Sequence, residues 1–317
     1  MRRIVVVNQK GGVGKTTTCA NLGAALALLG RRVVLVDMDA QANLSTHLGL
    51  QGASERSTYG LLTGRCSFAE ALVPTRVDGL ALVPSHLDLS GAELELASAL
   101  ARESLLAQAV DEWAGARAAD YVIVDCPPSL GLLSINALVA AREVFIALQT
   151  EYFALEGMSR LVEVVQLLRK RMRPDLEITG ILPTLYDNRL RLAREVLAEI
   201  RTYFPGQVFE NAVRTNVRLA EAPSHGQTIF EYAPESYGAR DHLLVALEVI
   251  AQEGRDAELA QRPRPGTRAA DELLRRLVRE ARARPADEAP PGGAEPVRAR
   301  DLPPLPKEPF GAGSRGA

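Results

Sequence analysis

An α/β fold, with a mostly parallel sheet flanked by helices on both faces, is the architecture that this 317-residue sequence predicts. Three observations predict it. Short β-branched runs, apolar on both faces, alternate with longer segments of helical period, as strands buried between helix layers do. A glycine-rich turn separates the first run from the first helical segment, and two further runs end in aspartate. Ligands of open α/β sheets bind at that carboxyl edge.

Taken in order, residues 4–7, 33–36, 80–83, 121–124, 144–148 and 178–182 read as strands. Between them 17–29, 155–172 and 190–203 place apolar residues at three- and four-residue steps, the period of a helix. Pro174 and Pro205 stand just past the last two. Alternation of strand and helix implies right-handed crossovers.

Composition narrows the class. With 47% hydrophobic and 24% charged residues the chain is close to soluble globular averages, which excludes collagen-like, wholly disordered and membrane-embedded proteins. Cys19, Cys66 and Cys126 show no CxxC spacing, so neither a disulfide framework nor a paired-thiol zinc site is expected, and a reducing cytosol fits. Only four apolar residues follow Met1-Arg2-Arg3 before Asn8, too few for a signal-peptide core, and no later stretch reaches the roughly 18 apolar residues of a span. A cytoplasmic protein is expected. With the glycine turn so near the first Met, no N-terminal operator-binding domain is expected.

Charge divides the chain at Gly254. Up to there it holds 24 Lys and Arg against 29 Asp and Glu, net −5; beyond it 13 against 10, net +3, with 10 of the 19 prolines. The expectation is a folded body over 1–254 and a Pro/Arg/Ala-rich, largely disordered tail over 255–317. Within the tail 269–284 carries Leu273, Leu274, Leu277 and Val278 on one stripe, the pattern of an isolated amphipathic helix.

The strongest chemical signal is Asn8-Gln9-Lys10-Gly11-Gly12-Val13-Gly14-Lys15-Thr16-Thr17, between a strand and a helix. In such a loop backbone N–H groups wrap a triphosphate and the helix N-terminus adds partial positive charge. Lys15 is placed to reach the β- and γ-phosphates and the Thr16 hydroxyl to ligate Mg²⁺. The run Val36-Asp37-Met38-Asp39 sets two carboxylates two residues apart, on one side of a strand end. One is expected to support the loop and the other to face water. At 121–125 an apolar strand ends in Asp125, the arrangement that holds Mg²⁺ in such sites, normally through a water. Cys126 reads as a small buried apolar residue. No N-K-x-D guanine motif occurs, so ATP is favoured over GTP.

The loop departs from the ordinary P-loop pattern: Gln9 stands where glycine is usual, and Lys10 adds a second lysine. K-G-G-x-G-K-[ST] is the deviant Walker A form, and with it the chain resembles the MinD/ParA group of P-loop NTPases. Along most of 1–254 it resembles the chromosomal ParA (Soj) ATPases, through 8–18, 37–43, Ala92-Glu93-Leu94-Glu95-Leu96, 125–131, 151–157 and 216–226. That resemblance implies slow, partner-stimulated ATP hydrolysis and a homodimer formed on ATP, with Lys10 crossing to the partner subunit's nucleotide. It implies that Asp39 orients the attacking water with Asp37 in support, and that Gly11, Gly12, Val13, Gly14, Lys15, Thr16 and Thr17 bind nucleotide. Asn216 falls where the family contacts adenine. Ala40 and Arg214 replace family prolines, and Arg214 puts the contact from its position in doubt.

Net charge alone argues against nucleic acid, yet 10 of the body's 24 basic residues lie in 169–173, 189–201 and 214–218, and local patches set the field a phosphate backbone feels. The resemblance places Arg189 and Arg218 on arginines that grip nonspecific double-stranded DNA, with Arg191 and Arg214 as helpers; Arg194 is free to pair with Glu195 or Glu199. A ParB-like partner, a role in chromosome or plasmid partitioning and a nucleoid location follow from the same resemblance, with no stable membrane association. Two alternatives share the loop: a MinD-like membrane-cycling ATPase, which 269–284 would anchor, and a metabolic P-loop phosphotransferase.

Overall fold

The computed structural model describes residues 1–114, 119–151, 154–253, 272–277 and 279. Among them are strands β1 (Arg2–Val7), β2 (Val33–Asp37), β3 (Val73–Pro74), β4 (Leu80–Val83), β5 (Tyr121–Asp125), β6 (Glu143–Gln149) and β7 (Glu177–Thr184). They form one sheet in the order β3-β4-β2-β5-β1-β6-β7. Every neighbouring pair is parallel except β3 with β4. All six expected strands are present, five of them longer at one or both ends. The addition, β3, has two residues and offers no periodicity to read. Its Pro74 cannot donate to a ladder and suits an edge.

The helices are α1 (Lys15–Leu28), α2 (Asn43–His47), α3 (Thr58–Leu62), α4 (Phe68–Ala71), α5 (Ala92–Glu95), α6 (Leu105–Ala114), α7 (Leu132–Ala140), α8 (Ala154–Arg171), α9 (Arg191–Tyr203), α10 (Val217–Glu221), α11 (Ile229–Tyr232) and α12 (Tyr237–Ala251). Strand side chains alternate between two cores. Val5, Val7, Val34, Val36, Val122 and Val124 join Leu106 of α6, Leu138 of α7, Leu161 of α8 and Ile200 of α9. Ile4, Val6, Leu35 and Ile123 join Leu22 and Leu26 of α1 and Leu244 of α12. This explains why the runs read as apolar on both faces: each fully buried Val or Ile contributes roughly 1.5–3 kcal/mol. Gly23 lets α1 lie against β2, since a Cβ there would come within 2.8 Å of a Leu35 methyl.

The stripe expected at 269–284 is helical at 272–277 and 279, and it is not isolated. Leu274 is buried in the core shared by α1 and α12, and Leu273 and Leu277 pack against that core. Three leucines on one side bury more apolar surface against the body than in water. The body's core therefore draws on residues beyond Gly254; the rest of the expected tail lies outside the described residues. Among the described residues no helix is long and apolar enough to cross a membrane.

From β1, flanked by β5 and β6, the chain returns through α1 to β2 on the far side of β5. That arrangement opens a crevice at the carboxyl ends of these strands.

Candidate nucleotide site

The crevice holds a cleft of about 830 Å³ lined by the glycine loop, Asp39, Pro127–Ser129, Thr184 and Asn216, among others. The loop's curvature comes from its glycines: Gly12 and Gly14 adopt φ of 76° and 87°, the left-handed region that residues with a Cβ avoid. Gly14 is the N-cap of α1 and provides no side-chain cap. The first-turn N–H groups therefore point at the cleft without a partner from that residue, the condition for anion binding. Two hydrogen bonds pin the loop. Thr184 Oγ1 donates to the Val13 carbonyl at 2.7 Å, and the Lys10 N–H donates to Asn8 Oδ1 at 2.9 Å. Lys15 is buried and its Nζ donates to the Lys10 carbonyl at 3.2 Å, so the ammonium is held back over the loop.

Two carboxylates end adjacent strands, Asp37 paired in register with Asp125. Both are fully buried. The Thr16 hydroxyl donates to Asp125 Oδ2 at 2.7 Å, while Oδ1 is buried with no hydrogen-bond partner. Burial first, and then the charge of Asp37, push the Asp125 carboxyl well above the carboxylate range. Burial likewise raises Asp37, against the hydrogen bonds it accepts from Ser45. Those bonds show what Asp37 supports. Its Oδ2 accepts from the Ser45 N–H at 2.9 Å and hydroxyl at 2.7 Å, and Oδ1 from the Asp39 N–H at 3.1 Å. It fixes the 39–45 turn, rather than the phosphate loop that the sequence suggested. Asp39, half-buried, faces the cleft and accepts from the Gln41 N–H at 3.0 Å. Cys126 is buried, its thiol raised by burial, as a packing residue would be.

Lys10 stands apart from the cleft. Its exposed Nζ ion-pairs with Glu151 and donates to Gln149 Oε1 at 3.3 Å, beside a separate cavity of about 300 Å³. Asn216 caps α10 and its Oδ1 accepts the Arg218 N–H at 2.8 Å.

The expected arginine surface is occupied by its own acids. Arg189 pairs with Asp187 at 2.7 Å, Arg191 with Glu195 at 2.7 Å and Arg218 with Glu221 at 2.7 Å. Thus Glu195 is taken by Arg191, and Arg194 instead donates to the Asn188 and Arg189 carbonyls at 2.7 and 3.3 Å. Arg214, expected as a helper at that surface, is also engaged within the fold, with its side chain 43% exposed. Its guanidinium bonds Asp241 at 2.6 Å, its backbone N–H reaches the same carboxylate at 3.0 Å, and it lies 4.4 Å over the Tyr237 ring. That side chain ties the loop before α10 to α12.

Sequence reasoning passed over three contributors to the cleft: Thr184, and the buried His47 and His242. Thr184 carries no motif, and neither histidine stands near the loop in sequence; only the packing of α2, α10 and α12 brings them there.

Comparison with known proteins adds to this geometry. A sequence-family model described as an AAA domain matches residues 1–178. The sporulation initiation inhibitor protein Soj of Bacillus subtilis is 46% identical over 249 residues, 78% of this chain and 98% of that protein. The chromosome-partitioning ATPase Soj of Treponema pallidum is 45% identical over 80% of this chain and 98% of its own. The chromosome partitioning protein ParA of Caulobacter vibrioides is 42% identical, over 80% and 95%. Among solved structures, a cobyrinic acid a,c-diamide synthase from Mycobacterium smegmatis with ADP and magnesium superposes with a TM-score of 0.70 at 35% identity, covering 80% of this chain and 96% of that one. The septum site-determining protein MinD of Pyrococcus horikoshii, complexed with Mg-ADP, gives 0.64 at 26%, covering 80% and 97%.

Proposed function

Because the chain belongs to the Soj/ParA family of chromosome-partitioning ATPases, we propose that it cycles between a nucleotide-bound dimer on DNA and a released form. It hydrolyses ATP to ADP and phosphate slowly, binds double-stranded DNA without sequence preference, and is stimulated by a ParB-like partner on the nucleoid. One observation carries the reading. An uncapped helix N-terminus behind a left-handed glycine loop stands beside a Thr16–Asp125 pair whose second carboxylate oxygen is buried and unpartnered.

That oxygen fits a dication: a buried carboxylate without a partner is costly, and a metal with its water is the partner such a group takes. Thr16 and Asp125 are the residues that would hold Mg²⁺, which when bound neutralises charge on the β- and γ-phosphates. The loop N–H groups and Lys15 bind and orient the triphosphate, and Asp39, on the cleft wall, positions the attacking water. The ammonium of Lys10, exposed outside its own cleft, supports its assignment to the partner subunit's nucleotide. In that role it adds positive charge where the transition state gains negative charge.

Arg189 and Arg218, with Arg191 and Arg214 as helpers, supply the DNA contact, each worth little alone and doubled by dimerisation. The membrane-cycling alternative loses its anchor, since Leu273, Leu274 and Leu277 face the core. A metabolic phosphotransferase would show turnover that depends on a small-molecule acceptor and ignores DNA.

DNA co-sedimentation with ATP tests the cycle. Asp39→Ala should remain bound after wild type has released, with hydrolysis reduced at least tenfold. Arg218→Glu should bind ATP normally and lose the DNA. Wild-type turnover by the first variant removes Asp39 from the water, and retained DNA affinity in the second removes Arg218 from the interface.

A further inference from the structure

The segment Ala92-Glu93-Leu94-Glu95-Leu96, which forms α5 and its first following residue, stands outside the cleft but touches the loop that lines it. Its residues divide their work by side. Ala92 and Leu96 are buried in the core that they share with Leu106 of α6 and Leu138 of α7. Glu95 accepts from the Tyr59 hydroxyl at 2.8 Å and from Arg65 at 3.2 Å. These contacts fix α5 as a platform. Glu93 is left over: among the described residues it makes no hydrogen bond and no ion pair.

The Glu93 carboxylate lies instead against Gly131, the N-cap of α7. At φ −82° and ψ −169° Gly131 has a backbone that any residue adopts, so what its missing side chain provides is space. A Cβ there would collide with Glu93 Oε1 and stand 3.3 Å from Cδ and 3.4 Å from Oε2. The carboxylate also meets a helix end that has no negative charge of its own. Gly131 provides no side-chain cap, and the first turn of α7 holds no acid. The partial positive charge of the first N–H groups favours a carboxylate brought there by another element.

The loop that ends at Gly131 begins at Asp125, and its Pro127, Pro128 and Ser129 line the cleft together with Asp39. Its first end is held by the sheet, where the Met38 N–H donates to the Asp125 carbonyl at 3.0 Å. At the other end the Ser134 hydroxyl donates to the Ser129 carbonyl from within α7, and Glu93 adds a hold from α5. We propose that Glu93 is a positioning residue for ATP hydrolysis, its carboxylate holding the 127–131 loop where Pro127–Ser129 wall the cleft beside Asp39. The inference rests on the reading of the cleft as an ATPase site and adds to it a residue from outside. Displacing Glu93 frees the loop at one end. Triphosphate binding then stays with the glycine loop and Lys15, while the step that needs the wall in place slows.

Steady-state hydrolysis of Mg-ATP by the full chain, with calorimetric ATP binding and thermal unfolding of the same variants, tests this. Glu93→Ala removes the carboxylate and Gly131→Ala pushes it out. Each should lower kcat on the order of fivefold and leave ATP affinity within about twofold of wild type. Because both break one contact, the double variant should be no slower than the slower single. Unchanged kcat in Glu93→Ala, losses that multiply in the double variant, or an affinity that falls in step with kcat overturn the inference while leaving the ATPase site standing. A melting temperature several degrees lower in Glu93→Ala marks a structural contact and overturns it as well; no turnover by wild type overturns both readings. If Gly131→Ala does not fold, Glu93→Gln takes its place, keeping the side chain's length without its charge. It should lower kcat by less than Glu93→Ala does, and a wild-type rate overturns the role of the carboxylate.

Discussion

In and beside the cleft, polar atoms are left without partners: Asp125 Oδ1, His47 Nε2 and His242 Nε2 are buried and unpaired. On the surface carried by α9 and α10, Arg189, Arg191 and Arg218 are each already matched to an acid. The cleft keeps its groups poised at a cost to stability, so a ligand that satisfies them gains their full value. The surface keeps its charges neutralised locally, so a phosphate backbone bound there, as proposed, would have to displace a carboxylate from each arginine, and the gain would be a small, salt-dependent difference. The first region suits tight binding of one ligand. The second suits a grip that is weak per contact and readily released.

The contrast predicts opposite consequences for mutation. Asp125→Asn should weaken Mg-ATP binding by about a hundredfold or more, the loss expected when a desolvated charge leaves a metal site, while the ligand-free melting temperature stays level or rises. Calorimetry and thermal unfolding of the same variant check this together. A melting temperature several degrees lower would show that Asp125 is a structural residue and would erase the distinction between the two regions.

Arg214 sharpens the line from the other side. Asp241 is 4% exposed, and Arg214→Ala would leave it buried with its guanidinium partner removed. A clear loss of stability is expected, reduced by the partial exposure of the Arg214 side chain, against little or none for Arg189→Ala, whose pair lies in water. Urea unfolding measures both. Equal values would mean that Arg214 belongs with the surface arginines after all.

These residues also mark how far the sequence could be read. Every strand with more than two residues was legible because it is buried on both faces, and the glycine loop because its backbone conformation demands particular residues. Asp37 was legible as a strand-end carboxylate, but its commitment to Ser45 was not, since both readings leave the same alternating pattern. Arg214 counted as one more charge in a basic window, and only the fold brings Asp241 to it from 27 positions away. The histidines escaped for the same reason. Long-range pairing decides whether a polar residue is spent on the structure or kept for a ligand.

The smallest expected effect tests whether local pairing restrains the arginine surface. Glu221 accepts from Arg218 and, at 2.9 Å, from the Tyr232 hydroxyl, so Glu221→Gln keeps an acceptor for the tyrosine while removing the charge that competes with phosphate. DNA affinity should rise about two- to fivefold at low salt, since an exposed pair holds its arginine only weakly and removing one acidic charge lowers the repulsion toward DNA. The gain should shrink as salt is raised, because both terms are screened. Fluorescence anisotropy with a random duplex across a salt series measures it, with ATP affinity as the control. An unchanged affinity at every salt concentration would mean that Arg218 reaches DNA without leaving Glu221, and the two regions would then differ in exposure alone.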